Sequence, residues 1–208
     1  LITLTSFRFA KLKFSDFSST SIHSSQFGGA QLDEARFRRA IIDKTSFAAI
    51  PVEDIEEPYA GQHSVMAVTS LTNADFRQAV VADSDFSRTR MTFANFDDSL
   101  LARSSFRGAE MAGATFRNTV LFDVDFTGAD VRIIDFDGAI VFNSDFLDKL
   151  AGSAKPETFI RDRFELRQIS LEELLQHGIA IGQVGVRISE EDISTETIFR
   201  VVRVKPFE

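Results

Sequence analysis

The chain has 208 residues, 44% hydrophobic and 26% charged, with a formal net charge of −8; this composition excludes disorder and disfavours a nucleic-acid-binding surface. It has no cysteine, which removes disulfides, thiolate metal sites and cysteine nucleophiles. No run nears the roughly eighteen apolar residues of a membrane span, and no basic and apolar leader opens the sequence, so a cytoplasmic protein is expected. The acid is uneven, because residues 1 to 49 carry seven Lys/Arg against four Asp/Glu. The first residue is Leu1 rather than Met, which leaves room for residues upstream.

From the first residues a large apolar side chain recurs every five positions: Ile2, Phe7, Leu12, Phe17, Ile22, Phe27, Leu32, Phe37, Ile42 and Phe47. A helix wants a period of 3.6 and a half-buried strand a period of two, so neither accounts for it. The array is read as resuming at Met66 and Leu71 and running through Phe76, Val81 and Phe86 to Phe146. Two residues before each centre stands Ala, Ser or Thr, with Val124 and Ile134 the exceptions in the second array. Two of every five residues thus point inward, one large and one small. The backbone must turn a corner per pentapeptide, and four corners close a coil of twenty residues. Stacked at about 4.8 Å, the coils make a rod roughly 30 Å long. Phe76, Phe96, Phe116 and Phe136 then form one ladder of rings, with Phe86, Phe106, Phe126 and Phe146 facing it.

Between the arrays, "AAIPVEDIEEPYAGQHSV" breaks the phase by one residue and carries Glu53, Asp54, Glu56, Glu57 and Tyr59, the single tyrosine. It reads as a solvated excursion at about residues 50–64, or as a recognition loop.

One face departs from the outward polar rule. Val80, Leu100, Val120 and Ile140 precede its centres and Ala82, Ala102, Phe122 and Phe142 follow them. An apolar stripe of that extent exceeds what a monomer exposes. Its expected cover is the protein's own tail, with a second copy or a partner as the alternatives.

The repeat ends at Lys149, which divides the chain into a rod (1–149) and a C-terminal cap and tail (150–208). After the linker "LAGSAKPE", the stretch "ISLEELLQHGIAIG" has Ser170 as N-cap, Glu173 to close a capping box, Ile169 and Leu174 as a hydrophobic staple and Gly178 as stop. The apolar face of this helix, Leu171, Leu174 and Leu175, is expected to plug the open end of the rod. Beyond it "QVGVRI" and "TIFRVVRV" read as strands. Their apolar residues Val184, Val186, Ile188, Phe199, Val201 and Val204 are expected to lie over the stripe.

The pentapeptides "ADFRQ", "SDFSR", "ANFDD", "ATFRN" and "SDFLD" resemble the pentapeptide-repeat family. That resemblance implies an all-β solenoid, a right-handed quadrilateral β-helix, here with a short C-terminal helix and a strand-rich tail. The helix is similar to that of the gyrase-protecting, quinolone-resistance subgroup. This implies a protein partner, DNA gyrase or topoisomerase IV, engaged by DNA mimicry in antibiotic resistance. It also implies a partner-binding role for Glu53, Asp54, Glu56, Glu57 and Tyr59, and a homodimer built tail to tail through Ser170, Leu171, Leu174 and Leu175. The chain departs from that subgroup by continuing about twenty-six residues past Gly182.

Enzyme signatures fail in turn: there is no G-x-S-x-G, Walker loop, H-E-x-x-H or G-x-G-x-x-G. His23, His63 and His177 are far apart in sequence. The expectation is a non-catalytic protein-binding rod without cofactor or metal, without direct contact to nucleic acid or membrane. The alternative is a generic β-helical interaction module of a secreted effector or a larger multidomain protein.

Overall fold

A computed structural model realises the five-residue period as a right-handed square coil. It describes residues 1–56, 66–142, 146–147, 150, 163–176 and 198–204. One wall is built from β1 (Ile2–Thr3), β2 (Ser21–His23) and β3 (Ile41–Asp43). An excursion follows, holding β4 (Ile50–Pro51) and β5 (Met66–Ala67). The wall resumes with β6 (Val80–Ala82), β7 (Leu100–Ala102), β8 (Val120–Phe122) and β9 (Ile140–Val141). Neighbours pair in parallel with no slip, so that Ile2, Ile22, Ile42, Val81, Leu101, Leu121 and Val141 form one column. The other walls meet through single parallel bridges such as Gln31↔Ser70 and Asp75↔Asn95.

Coil spacing matches the centroid separation of offset-stacked rings, and this shapes the core. Phe76 and Phe96 stack at 4.5 Å with planes 3° apart, and Phe86 and Phe106 at 5.0 Å. Across the coil the two ladders meet edge to face, as Phe76 and Phe86 do at 5.9 Å and 84°, an arrangement the ring quadrupole favours. Phe146 does not extend its ladder; it lies edge-on to Phe126 at 6.4 Å and 80°, outside the regular coil. The small inner positions also carry hydrogen bonds. Ser84 Oγ donates to Ala82 O at 2.7 Å and accepts the Thr45 N–H at 3.2 Å, while the Ser84 N–H donates to Ser104 Oγ. A hydroxyl there satisfies a corner that Ala would leave short of partners.

Across the excursion, wall partners stand 39 positions apart instead of 20 (Thr45 and Ser84, against Ser84 and Ser104). Nineteen residues are therefore inserted into one coil, which accounts for the one-residue slip, and no coil is replaced. Met66 is not a coil centre as the five-residue count would have it. It pairs with Pro51 in the antiparallel β4–β5 ladder. The excursion is pinned by a small cluster of Ile50, Ile55 and Ala67 against Phe9. Gly28 makes the room, since a Cβ there would stand 2.6 Å from Ile50 Cγ1.

At the other end the chain returns as β10 (Phe164–Gln168), helix α1 (Leu171–Gln176) and β11 (Phe199–Arg203). β11 adds antiparallel to β9, and β10 antiparallel to β11, completing a nine-stranded wall. These strands close the open end, with Phe164 edge-on to Phe136 at 6.4 Å. The stripe is covered instead by Leu174 of α1 together with Ile169 and Ile198. Helix and strands thus exchange the places expected of them. The physical reason is that the last coil presents unpaired backbone N–H and C=O groups, which another strand satisfies and a helix cannot. The stripe has its backbone already paired and needs only apolar atoms. Val184, Val186 and Ile188 lie outside the described residues.

Candidate interaction surface

Three side chains of each pentapeptide face out. The Asp before the central Phe serves its own turn, since Asp85 Oδ1 accepts the Ser87 N–H and Asp125 Oδ1 the Thr127 N–H, both at 2.8 Å, closing an Asx-type turn. Arginines then take the remaining carboxylate oxygens: Arg107 on Asp125 at 3.0 Å, Arg117 on Asp135 at 2.6 Å, and both Arg38 and Arg77 on Asp75. The hydrogen bond from Arg103 at 2.7 Å holds the Asp83 carboxyl below its ordinary range, and Arg132 does the same for Asp130. Several of the wall acids are thus paired in place with arginines, so they do not make a uniformly anionic surface.

A second feature lies on one corner. The last residue of a pentapeptide turns the corner with φ positive, and Asn73, Asp83 and Gly113 illustrate residues suited to it. Phe14 (φ 63°), Phe93 (φ 59°) and Ile133 (φ 50°) occupy the same role on the corner after the Leu/Met wall. Their exposures are 65%, 60% and 50%. A β-branched residue in this conformation is a steric outlier. The Phe93 ring leans over Gly113, where a Cβ would come within 2.5 Å of Phe93 Cδ1. None of the three is among the residues expected from sequence to form a surface. Their signal was available as large apolar residues at outward positions two after a centre.

A shallow groove of about 450 Å³ runs along another corner, lined by Ser18, Ser19, Arg38, Arg39, Arg77, Gln78 and Asp98. Of the excursion, Glu53, Asp54 and Glu56 are exposed, whereas Glu57 and Tyr59 lie outside the described residues. Arg8 Nη2 donates to Asp54 O at 3.3 Å and holds the excursion near the first coil. The stripe is not a surface: Leu100, Val120, Ile140 and Phe142 are buried, and Val80 and Phe122 half-buried. In α1, Ser170 Oγ accepts the Glu173 N–H at 3.1 Å, which makes Ser170 the cap. The Glu173 carboxylate does not close a capping box. It is drawn to Arg167 at 2.7 Å and Arg200 at 3.3 Å, tying helix to strands. Leu174 is buried; the side chains of Leu171 and Leu175 lie outside what the structure describes. Among the described residues no group of His, Cys, Asp and Glu could hold a metal ion, and no helix is long and apolar enough to cross a membrane.

The repeat seen in the coil also matches a family described as pentapeptide repeats, in eight copies over residues 3–39, 69–108 and 99–138. The chain belongs to the pentapeptide-repeat family. Solved pentapeptide-repeat structures similar to it include trypsin-treated QnrB1, a plasmid-mediated fluoroquinolone resistance protein. That likeness has 16% identity over 66% of this chain and 78% of the other, with a TM-score of 0.32. Rfr23 of the cyanobacterium Cyanothece is 13% identical over 64% of this chain and 83% of its own, with a TM-score of 0.30. HetL of the cyanobacterium Nostoc, involved in heterocyst differentiation regulation, is 17% identical over 67% and 86%, with a TM-score of 0.28. No curated protein matches the chain significantly. The family assignment rests on the repeat match and on the coil itself.

Proposed function

We propose that this pentapeptide-repeat protein is a non-catalytic rod that binds a protein partner along its outer surface. The observation that carries this reading is the corner with Phe14, Phe93 and Ile133. These large apolar side chains stand 50–65% exposed on one corner of the rod, where Glu34, Asn73 and Gly113 of the other coils are polar or lack a side chain. Large apolar side chains that gather at exposed positions on one face mark an interaction surface.

The finer reading is a modulator or protector of a type II DNA topoisomerase, DNA gyrase or topoisomerase IV, acting by DNA mimicry in the cytoplasm and contributing to antibiotic resistance. Its support is the resemblance of the repeats and of the capped helix to the gyrase-directed subgroup, together with the net charge of −8. The arginine-paired wall acids weigh against mimicry along the whole rod, so the anionic contact is assigned to the excursion with Glu53, Asp54 and Glu56. The repeat rod (1–149) supplies the binding surface and residues 150–208 its cap.

A supercoiling assay with purified gyrase and a decatenation assay with topoisomerase IV, each with and without a fluoroquinolone, test both levels. Protection or inhibition by the full chain, lost in a Phe93→Asn/Ile133→Asn variant that stays folded, is the expected result. No effect on either topoisomerase removes the named partner. An effect that the variant retains in full removes the corner.

A further inference from the structure

On the wall of Phe17, Phe37 and Phe76, side-chain oxygens serve the N–H of the residue after each ring. Asp16, Asp75, Asn95 and Asp135 accept from Ser18, Arg77, Asp97 and Asp137, and Asp97 accepts from Arg117. In the coil between Asp16 and Asp75 that place is held by Arg36. A guanidinium only donates. The Arg38 N–H is therefore the one such group on this wall with no acceptor among the described residues.

The same coil is unusual in charge. Arg36, Arg38 and Arg39 fill all three outward positions of one pentapeptide, and no other pentapeptide of the coil carries three like charges. Asp16 takes Arg36 at 3.3 Å, and the single carboxylate of Asp75 is shared by Arg38 and by Arg77 of the next coil. Arg39 meets no carboxylate among the described residues. Its Nε donates to Gln78 Oε1 at 2.9 Å, which orients the guanidinium without neutralising it. The groove of about 450 Å³ passes Arg38, Arg39 and Arg77, running from Ser18 and Ser19 at one end to Asp98 at the other.

We propose that this groove binds a dianionic oxyanion, the phosphate of a monoester, over the coil of Phe37. One oxygen accepts the Arg38 N–H, in the role that an aspartate oxygen fills in the coils on either side. The others accept from the remaining N–H groups of Arg38 and Arg39, whose planar forks match phosphate geometry, and from the Ser19 hydroxyl. Asp98 lies two coil spacings from Arg39, about 10 Å, and its charge keeps the anion at the serine end. The groove lies on the outer wall, so it admits the group from a free phosphate ester or from a phosphorylated side chain of a protein. The site stands apart from the corner of Phe14, Phe93 and Ile133, and either can fail without the other.

Amide NMR of the isotope-labelled full chain is the test. The probes are inorganic phosphate, O-phosphoserine and a Gly-Ser peptide bearing one phosphoserine, each set against sodium chloride of equal ionic strength and the unphosphorylated peptide. Saturable shifts are expected at residues 18–19, 38–39 and 77–78, with a dissociation constant of about 1 mM. Arg39→Gln should weaken binding about tenfold. Arg36→Asp, which installs the acceptor that the neighbouring coils possess, should remove binding while the rest of the spectrum stays in place. Asp98→Asn should tighten it severalfold. Arg88→Gln, an equal loss of charge on another wall, should leave it unchanged. Tighter binding of the phosphopeptide than of O-phosphoserine assigns the ligand to a protein, and equal binding assigns it to a free ester; either supports the site. No saturable shift up to roughly 20 mM, shifts spread over arginines of every wall as for an adventitious ion only, or undiminished binding in Arg36→Asp or Arg39→Gln would each overturn the proposal.

Discussion

Arg203, the last residue of β11, reaches the carboxylate of Asp135, which is 2% exposed in the final coil, while Asp137 Oδ1 accepts the Arg203 N–H at 3.0 Å. The contact locks the C-terminal cap to the rod. Burial alone would raise the Asp135 carboxyl. Hydrogen bonds from Arg203, Arg117 and the Asp137 N–H outweigh it and hold the group below its ordinary value of 3.8.

A carboxyl depressed in the folded state contributes stability that is full above its unfolded pKa and is lost as pH falls through the folded one. The cap is therefore expected to loosen below about pH 4. Hydrogen exchange on residues 199–203 should accelerate there before the coil opens. Asp135→Asn should remove most of that pH dependence and cost about 1–3 kcal/mol at neutral pH. Equal acid sensitivity in the variant would count against the lock.

Phe106 and Arg107 are neighbours in sequence with opposite environments, the first fully buried in its ladder and the second an exposed partner of Asp125. Phe106→Ala should cost about 3–5 kcal/mol in urea denaturation. Arg107→Ala should cost less than about 1 kcal/mol. Similar losses would contradict the register.

Leu174 is buried over Val120 and Ile140 of the stripe. Leu174→Ala should destabilise the cap by about 2–5 kcal/mol. It should also raise binding of a hydrophobic dye, while the β-rich circular dichroism of the coil persists. Unchanged dye binding would mean that α1 does not seal the stripe.

Ile55 anchors the excursion just past its 3-10 turn (Val52–Asp54). Ile55→Asp should release the segment to protease within residues 51–66, losing about 2 kcal/mol of local burial. The melting of the coil should hardly change, because Gln31 and Ser70 bridge the neighbouring coils directly. Global unfolding of this variant would show that the excursion is integral to the rod.

Much of the architecture was determined by sequence alone, because in a solenoid each contact is local to the repeat. A residue twenty positions away is the neighbour one coil along, so the five-residue period already names the occupants of each ladder, the small inner column and the face that needs cover. The same logic located the excursion, although counting in fives admitted Met66, since an apolar residue at the right interval is indistinguishable from a coil centre until its strand partner, Pro51, is known. Phe93 and Ile133 escaped because single apolar residues at outward positions are common, although their place two after a centre set them apart from the polar residues and Gly113 on the same corner.

The C-terminal region lies beyond that logic. Ser170, Glu173 and Leu174 announced a helix, and its cap formed, yet where the helix would lie depended on what the finished rod left unsatisfied. Only tertiary structure decided that the final coil needed backbone partners and took β11, that the apolar stripe needed side chains and took α1, and that Glu173 would serve Arg167 and Arg200 instead of its own helix. Periodicity carries information about neighbours along the repeat. The demands of an open end and a bare face arise only once the coils are stacked.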